Sequence, residues 1–305
     1  MYDLIIIGGG PAAISAGIYA ARKKLKTLLI AKNWGGQVRL SPLVENYPGF
    51  ESILGMDLAN KFISHLKKNN LEIKEGIEIK EIELEENNKV VRVRGEKENF
   101  KTKAIIIATG RVPNKLGISN EEKFIGKGIS YCATCDAPLF RDKKIIVIGS
   151  GNAGAEIAIE LTNYASEVYI LARSPGLKAN EYLQNKIKKS SKIKIIANAL
   201  VKEFKGNKFI EGFIYQDKIS SKMKEMDIQG IFIAIGSSAN SSLVKNMVEL
   251  NKQNEIKIDS SNRTSQPNIF AAGDVTNVSH KQIIIAAGEG AKAALNAYDY
   301  IKKLK

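Results

Sequence analysis

The chain has 305 residues, about two domains' worth, and its 44% hydrophobic and 26% charged residues supply buried cores and exclude a disordered chain. No apolar run reaches the roughly 18 residues that span a bilayer. The start Met1-Tyr2-Asp3 runs straight into Leu4-Ile5-Ile6-Ile7 without a signal peptide's basic region or cleavage site, so a cytosolic protein with no membrane association is expected. The formal charge of +14 is spread out: residues 112–241 hold 19 basic and 13 acidic residues, the remainder 27 and 19. Most of the excess is Lys without clustered aromatics, which fits a solvated surface, or an acidic protein partner, better than nucleic acid.

In chain order, Asp3 to Ile7 reads as a buried strand ending in Gly8-Gly9-Gly10-Pro11-Ala12-Ala13, followed by a helical stretch from Ile14 to Lys24 and a strand from Thr27 to Ala31. This is a βαβ unit opening with G-x-G-x-x-A. Gly8 permits the tight turn, Gly10 lets backbone approach a pyrophosphate, Ala13 lets helix pack on strand, and the helix N-terminus offers free N–H groups to phosphate. An alternating, β-rich stretch follows from Ile77 to Arg94 with a turn near Asn87-Asn88. An apolar strand then runs from Ala104 into Thr109-Gly110.

The pattern repeats. Lys144 to Ile148 is a strand leading into Gly149-Ser150-Gly151-Asn152-Ala153-Gly154, then a helix from Ala155 to Tyr164 and a strand from Val168 to Leu171. A β-rich stretch runs from about Leu200 to Tyr215, and a strand from Gly230 to Ile235 ends at Gly236. A short strand then ends in Phe270-Ala271-Ala272-Gly273-Asp274, where a carboxylate can meet a ribityl or ribose hydroxyl, and Ala286 to Leu304 reads as a terminal helix. Two matched halves predict an α/β protein of two Rossmann-like dinucleotide-binding domains, each a three-layer ββα arrangement. The tail belongs with the first half, so the second domain is an insertion, joined by two crossing segments that make a plausible hinge.

Both cysteines lie in Cys132-Ala133-Thr134-Cys135. Zinc needs about four ligands, and only His65 and His280, both distant in sequence, are there to help. Two buried reduced thiols are a second alternative. A redox-active dithiol accounts for the spacing best. Asp136 beside it is a candidate proton donor and acceptor, an exposed turn aspartate being the alternative. Two nucleotide sites and one dithiol together suggest an electron relay from nicotinamide through a flavin to a disulfide.

On these residues the chain resembles the low-molecular-weight thioredoxin reductases over essentially its whole length. The matching runs are Gly8 to Ala13, Gly35-Gly36-Gln37, Val44-Glu45-Asn46-Tyr47-Pro48-Gly49-Phe50, Ala108-Thr109-Gly110, Tyr131 to Asp136, Phe270 to Val275, and Lys281-Gln282 with Ala286-Ala287-Gly288. The resemblance implies an FAD-binding domain from residues 1–111 and 242–305 and a nicotinamide-nucleotide domain, 112–241, that carries the dithiol. It implies a homodimer, with thioredoxin or a thioredoxin-like protein as partner. Cys135 would face the flavin and form the charge-transfer thiolate, Cys132 would attack the protein substrate, and Asp136 would be the acid–base residue. The FAD set would be Gly8, Gly10, Pro11, Ala12, Ala13, Gly35, Gly36, Gln37, Asn46, Ala108, Thr109, Gly110, Gly273, Asp274, Lys281, Gln282 and Ile283. The nicotinamide set would be Gly149, Gly151, Asn152, Ala153, Gly154, Glu156, Arg173, Ser174, Lys178, Ile235 and Gly236. No metal is expected.

The chain also departs from the pattern. Where NADPH-preferring relatives place His-Arg-Arg and a further Arg, it has Ala172-Arg173-Ser174 and Lys178. NADPH is the expected donor, with NADH and ferredoxin as alternatives; +14 would steer an acidic ferredoxin, whereas the intact second fingerprint favours a nicotinamide. Ala137 stands in place of Gly, Ser238-Ala239-Asn240 in place of x-Pro-Asn, and His280-Lys281 in place of Tyr-Arg. Ala137 would alter the turn after the dithiol if that turn needs positive φ. The related peroxiredoxin-reducing flavoproteins carry an N-terminal thioredoxin-like region. Here the fingerprint strand starts near residue 5, so that region is expected to be absent.

Overall fold

Strand Tyr2–Ile7 is apolar at four consecutive positions, so it has no polar face to offer water and must be covered on both sides. In the computed structural model it runs parallel to Thr27–Ala31 on one side and to Asn99–Ile107 on the other. The structure describes the chain apart from Ser41, Pro42, Glu86, Asn88, Lys89, Cys132 and Lys305, and gives Leu40, Leu43, Thr134 and Cys135 by backbone only. The chain divides into two compact units: Met1–Val112 with Ser238–Lys305, and Pro113–Ser237.

In the first unit the parallel strands lie in the order Glu72–Glu75, Thr27–Ala31, Tyr2–Ile7, Asn99–Ile107, with Ile269–Ala271 against the end of the last. Asn99–Ile107 does double duty. Its first residues pair antiparallel with Val90–Gly95, which pairs with Ile79–Glu85, while Ile105 to Ile107 pair parallel with Ile269 to Ala271. The two-residue alternation of a strand sorts side chains to opposite faces. Leu4, Ile6, Leu29, Ala104 and Ile106 pack with helices Pro11–Arg22 and Ile283–Lys302, while Ile5, Ile7, Leu28, Ile30, Ile105 and Ile107 pack with Ile82, Val91, Val93, Val244 and Ile256. That is the expected layering of helices, parallel sheet and antiparallel ribbon.

The second unit repeats the plan. Its parallel sheet runs Ile129–Ser130, Gly230–Ile233, Lys144–Ile148, Glu167–Leu171, Ile193–Ile196. One face packs against helices Asn152–Leu161 and Glu181–Lys189, the other against Phe124, Phe204, Phe213 and Ile228. The ribbon Ala199–Lys205, Gly212–Asp217, Met223–Asp227 forms its own sheet, because Gly230–Ile233 has four residues against the nine of Asn99–Ile107 and cannot pair with both layers. The edge strand comes last in the chain of the first unit and first in that of the second.

Several boundaries differ from those expected by a few residues. The helices begin at Pro11, Asn152 and Ile283, directly after their turns, and end at Arg22, Leu161 and Lys302. The first ribbon turns at Asn87, whose φ of 56° suits an Asn, while Asn88 lies outside the described residues. Among the described residues no helix is long and apolar enough to cross a membrane.

Helices Pro11–Arg22 and Ile283–Lys302 meet through small residues: Ala12, Ala13, Ala16 and Ala20 against Ala286, Gly290, Ala293, Ala294 and Ala297. A Cβ on Gly290 would lie 2.0 Å from the Ala12 carbonyl oxygen, whereas one on Gly288 would meet nothing within 4 Å. Gly290→Ala is therefore expected to destabilise the protein by about 1–3 kcal/mol, and Gly288→Ala to be neutral or stabilising by up to about 1 kcal/mol. Denaturant unfolding of the two variants checks this; equal midpoints would rule out the close contact.

Candidate functional site

The same backbone contacts build both glycine turns. Gly8 N–H donates to the Ile30 carbonyl at 2.9 Å, and Ala108 N–H to the Ile7 carbonyl at 2.9 Å. In the second unit Gly149 N–H donates to Leu171 at 3.2 Å and Ala234 N–H to Ile148 at 2.8 Å. Gly8 has φ 141° and Gly149 has φ 137°. A Cβ on Gly8 would fall 2.2 Å from the Ala108 oxygen, and one on Gly149 would fall 2.1 Å from the Ala234 oxygen. Only glycine fits either position.

Gly10 and Gly151 are the N-caps of the following helices, both extended, both without a side-chain cap, and Pro11 sits at the first helical position of its helix. The N–H groups of each first turn therefore keep their hydrogen-bonding capacity for an anion. A Cβ on Gly10 would have only the Gly36 Cα, 3.9 Å away, for company, and one on Gly151 nothing within 4 Å. These two glycines leave open space, where Gly8 and Gly149 relieve a clash. Ala13 is buried at the helix–strand contact; its counterpart Gly154 is tighter still, with a Cβ position 2.1 Å from the Gly149 oxygen. Gly9, the variable position of the first motif, also proves constrained, since its Cβ would strike the Asn33 oxygen at 2.1 Å.

Around the carboxyl ends of the strands, where open α/β sheets bind ligands, the first unit gathers most of the residues expected at FAD. Gly35 N–H donates to the Gly9 carbonyl at 2.8 Å, Gly36 takes φ 54° beside Gly10, and Gln37 Nε2 donates to the Arg111 carbonyl at 3.3 Å. Asn46 Nδ2 donates to Gln282 Oε1 at 3.2 Å, and Ile283 opens the terminal helix. Thr109 Oγ1 donates to the Asn240 carbonyl at 2.6 Å and Asn240 N–H to the Gly110 carbonyl at 2.9 Å, so Asn240 fastens that turn without the usual proline. Gly273, at φ 77°, brings the Asp274 turn onto Ala12, with a Cβ position 2.9 Å from the Ala12 Cβ. Asp274 is half-buried, and burial raises its carboxyl pKa against the pull of Lys281 and Arg111. An uncapped helix end, a glycine cradle open toward solvent and a carboxylate at the strand ends are features that fit a dinucleotide.

In the second unit, Ala172 is buried and Arg173 exposed at the end of strand Glu167–Leu171. Ser174 Oγ donates to the Gly176 carbonyl at 2.7 Å, and Lys178 N–H to the Ser150 carbonyl at 2.7 Å, which holds this loop against the glycine turn. Lys218 Nζ donates to the Arg173 carbonyl at 3.3 Å, bringing in a cation that the motif did not include. Asn152 Oδ1 accepts from Asn180 N–H at 2.8 Å, Ala153 and Glu156 are exposed on the helix, and the carbonyls of Ile235 and Gly236 accept from Asn114 at 3.3 and 3.0 Å.

Cys132 lies outside the described residues, and Cys135 is described by backbone alone, within the helical turn Ala133–Asp136. Ala133, Ala137 and Phe140 pack with Ala155 and Ala158 of the second fingerprint helix, so the segment is seated beside that turn. Ala137 opens a 3₁₀ turn with a buried side chain and is not among the residues with positive φ, so this departure needs no strained backbone. Asp136 is half-buried. Just before the dithiol, Tyr131 donates its hydroxyl to buried Glu121, whose carboxylate also accepts from Leu116 N–H at 3.1 Å and Gly117 N–H at 2.9 Å. Burial, with the hydrogen bond and charge of Glu121, pushes the Tyr131 pKa above its usual value.

Arg111 and Glu255, which meet at Lys281, are residues that sequence reasoning missed. Glu255 accepts from Arg111 at 2.8 Å and pairs with Lys281 at 3.1 Å, across 144 positions in the first case. No local pattern signals such a contact.

The family of pyridine nucleotide-disulphide oxidoreductases matches residues 2–290, and the chain belongs to it. Alkyl hydroperoxide reductase F of Staphylococcus aureus is 41% identical over 301 residues, which are 98% of this chain and 59% of that protein. The chain thus spans a little under two thirds of the length of the curated relatives it matches. Among solved structures, thioredoxin reductase of Lactococcus lactis is 36% identical with a TM-score of 0.88, covering 99% of this chain and 100% of that one. Thioredoxin reductase of T. acidophilum is 36% identical with a TM-score of 0.85, covering 100% and 99%.

Tyr131→Phe is expected to cost about 1–2 kcal/mol of stability, the worth of a hydrogen bond to a charged group discounted for partial exposure. Urea unfolding of the variant measures it, and an unchanged midpoint would show that the Glu121 contact does not anchor the dithiol segment.

Proposed function

We propose that the protein is an FAD-dependent thioredoxin-disulfide reductase, with NADPH as the preferred hydride source and the Cys132/Cys135 pair as the group that exchanges with substrate. The observation that carries this reading is the packing of Ala133 and Ala137, between and just after the two cysteine positions, against the helix of a second glycine turn built like the first. Over one cycle, NADPH, a proton and the substrate disulfide become NADP⁺ and a substrate dithiol. Bound FAD would supply the two-electron step between nicotinamide and sulfur. Gly10, Pro11 and Ala12 would hold its pyrophosphate, and Asp274 a ribityl or ribose hydroxyl. Cys132 attacks the substrate, Cys135 resolves the mixed disulfide, and Asp136 gives and takes the proton. Arg173, Lys178 and Lys218 offer positive charge to a 2′-phosphate, and the strand end, at buried Ala172, presents no carboxylate to a ribose 2′-hydroxyl. Two copies are proposed to pair as a homodimer.

A second reading is favoured by the 41% identity to alkyl hydroperoxide reductase F: an NADH-using flavoprotein that reduces a peroxiredoxin or a thioredoxin-like relay.

The purified protein should be yellow, and anaerobic mixing with NADPH should bleach it. Turnover with thioredoxin supports the first reading. Bleaching by NADH with turnover only on a peroxiredoxin supports the second, and no bleaching with either nucleotide sinks both. Cys135→Ser should keep FAD and nicotinamide-driven flavin reduction while losing at least 100-fold (~2.7 kcal/mol) in disulfide turnover; parental turnover would disprove the dithiol role. Gly10→Ala adds a methyl into open space, so the apoprotein should keep its unfolding midpoint while FAD affinity falls about tenfold or more (~1.4 kcal/mol), read by fluorescence titration.

A further inference from the structure

Glu255 is an acidic side chain held at the strand ends by a framework of its own. Asn251 Oδ1 accepts from the Gln253 and Glu255 N–H groups at 2.9 Å each, Asn254 turns the chain with φ 58°, and Asn251 Nδ2 donates to Glu255 Oε2 at 2.7 Å. The next residue, Ile256, pairs with the Asp274 turn: its N–H donates to the Val275 carbonyl at 2.9 Å, and its carbonyl accepts from Asn277 at 3.0 Å. Glu255 is thereby pinned beside Gly273–Val275. Its Oε1 accepts from Arg111 at 2.8 Å and pairs with Lys281 at 3.1 Å, and all three side chains are at most 24% exposed.

Lys281 also donates to the Thr276 carbonyl, and Thr276 Oγ1 donates to the Gly273 carbonyl at 2.8 Å. Burial opposes the charge on Glu255, but the hydrogen bonds from Asn251 and Lys281 and the charges of Lys281 and Arg111 outweigh it, so the carboxyl stays ionised below its usual range. Asp274 feels the same two cations. Glu255 thus pairs with two cations whose charge also reaches Asp274, one from the segment after Gly110 and one from the segment before the terminal helix.

We infer that Glu255 is a positioning residue for the flavin site: it fixes Arg111 and Lys281 and cancels their excess positive charge, which keeps the bound flavin harder to reduce than the two cations alone would make it. This rests on the reading that Asp274 and Lys281 face FAD. Reduced flavin carries more negative charge than oxidised flavin, so uncompensated cations nearby favour the reduced form and a nearby anion opposes it.

The test is the flavin midpoint potential of the FAD-loaded protein, measured by dye equilibration, with the visible spectrum as a second readout. Glu255→Gln should shift the potential upward and Glu255→Asp should restore most of the parental value. Arg111→Gln should shift it downward, and decides the matter if Glu255→Gln does not fold. A parent that takes up no FAD overturns the site reading together with the inference. A yellow parent whose potential and spectrum are unmoved by Glu255→Gln, or by Arg111→Gln where that variant alone folds, overturns the inference alone.

Discussion

The architecture depends on one repeated close approach, a glycine at the end of a strand lying almost against the carbonyl oxygen that ends the neighbouring strand. Gly8 meets Ala108 in the first unit, and Gly149 meets Ala234 in the second. Because no side chain fits between them, the following helix starts immediately and low over the sheet, with its first N–H groups turned to the strand ends. Everything proposed to touch a dinucleotide is arranged around that start. The helix dipole and uncapped N–H groups favour an anion there, and the open faces of Gly10 and Gly151 leave room for one.

Close packing of small residues extends this constraint outward. Gly290 on Ala12 and Gly273 on Ala12 bring the terminal helix and the Asp274 turn onto the same helical start. Residues from both ends of the chain thereby converge within one unit. The ion pairs of Glu255 join the segment after Gly110 to the loop before the terminal helix, in an environment where few waters screen them. Exposed ion pairs such as Lys80–Glu78, by contrast, contribute little to stability.

Legibility of the fold followed burial. Thr27–Ala31 and Lys144–Ile148 match their sequence reading residue for residue, because parallel strands covered on both faces leave continuous apolar runs that stop sharply, at Lys32 in the first and Gly149 in the second. Met223–Asp227 carries no such signal: it is a mostly exposed edge strand rich in charge, and its pairing with Gly212–Asp217 alone makes it a strand. Helices Gly55–Lys67 and Glu181–Lys189 are equally faint in the sequence; each buries only a few side chains, such as Leu58 and Leu66 or Leu183 and Ile187. The glycine turns are readable as motifs because their physics is local. The partnership of Arg111, Glu255 and Lys281 joins three distant segments, each ordinary taken singly, and emerges only when the sheet brings them together.

The placement of the two edge strands has a consequence for biogenesis. Ile129–Ser130 precedes the fingerprint of its unit, so everything the inner unit requires lies within Pro113–Ser237. Ile269–Ala271 and the helix after it emerge from the ribosome after the whole inserted unit, and until they do, Asn99–Ile107 has no parallel neighbour on one side and Ala12 no helix to receive it. Synthesis proceeds from the N-terminus and domains fold as units. The inserted unit is thus positioned to mature while its host still waits, half-assembled, for the strand and helix that follow.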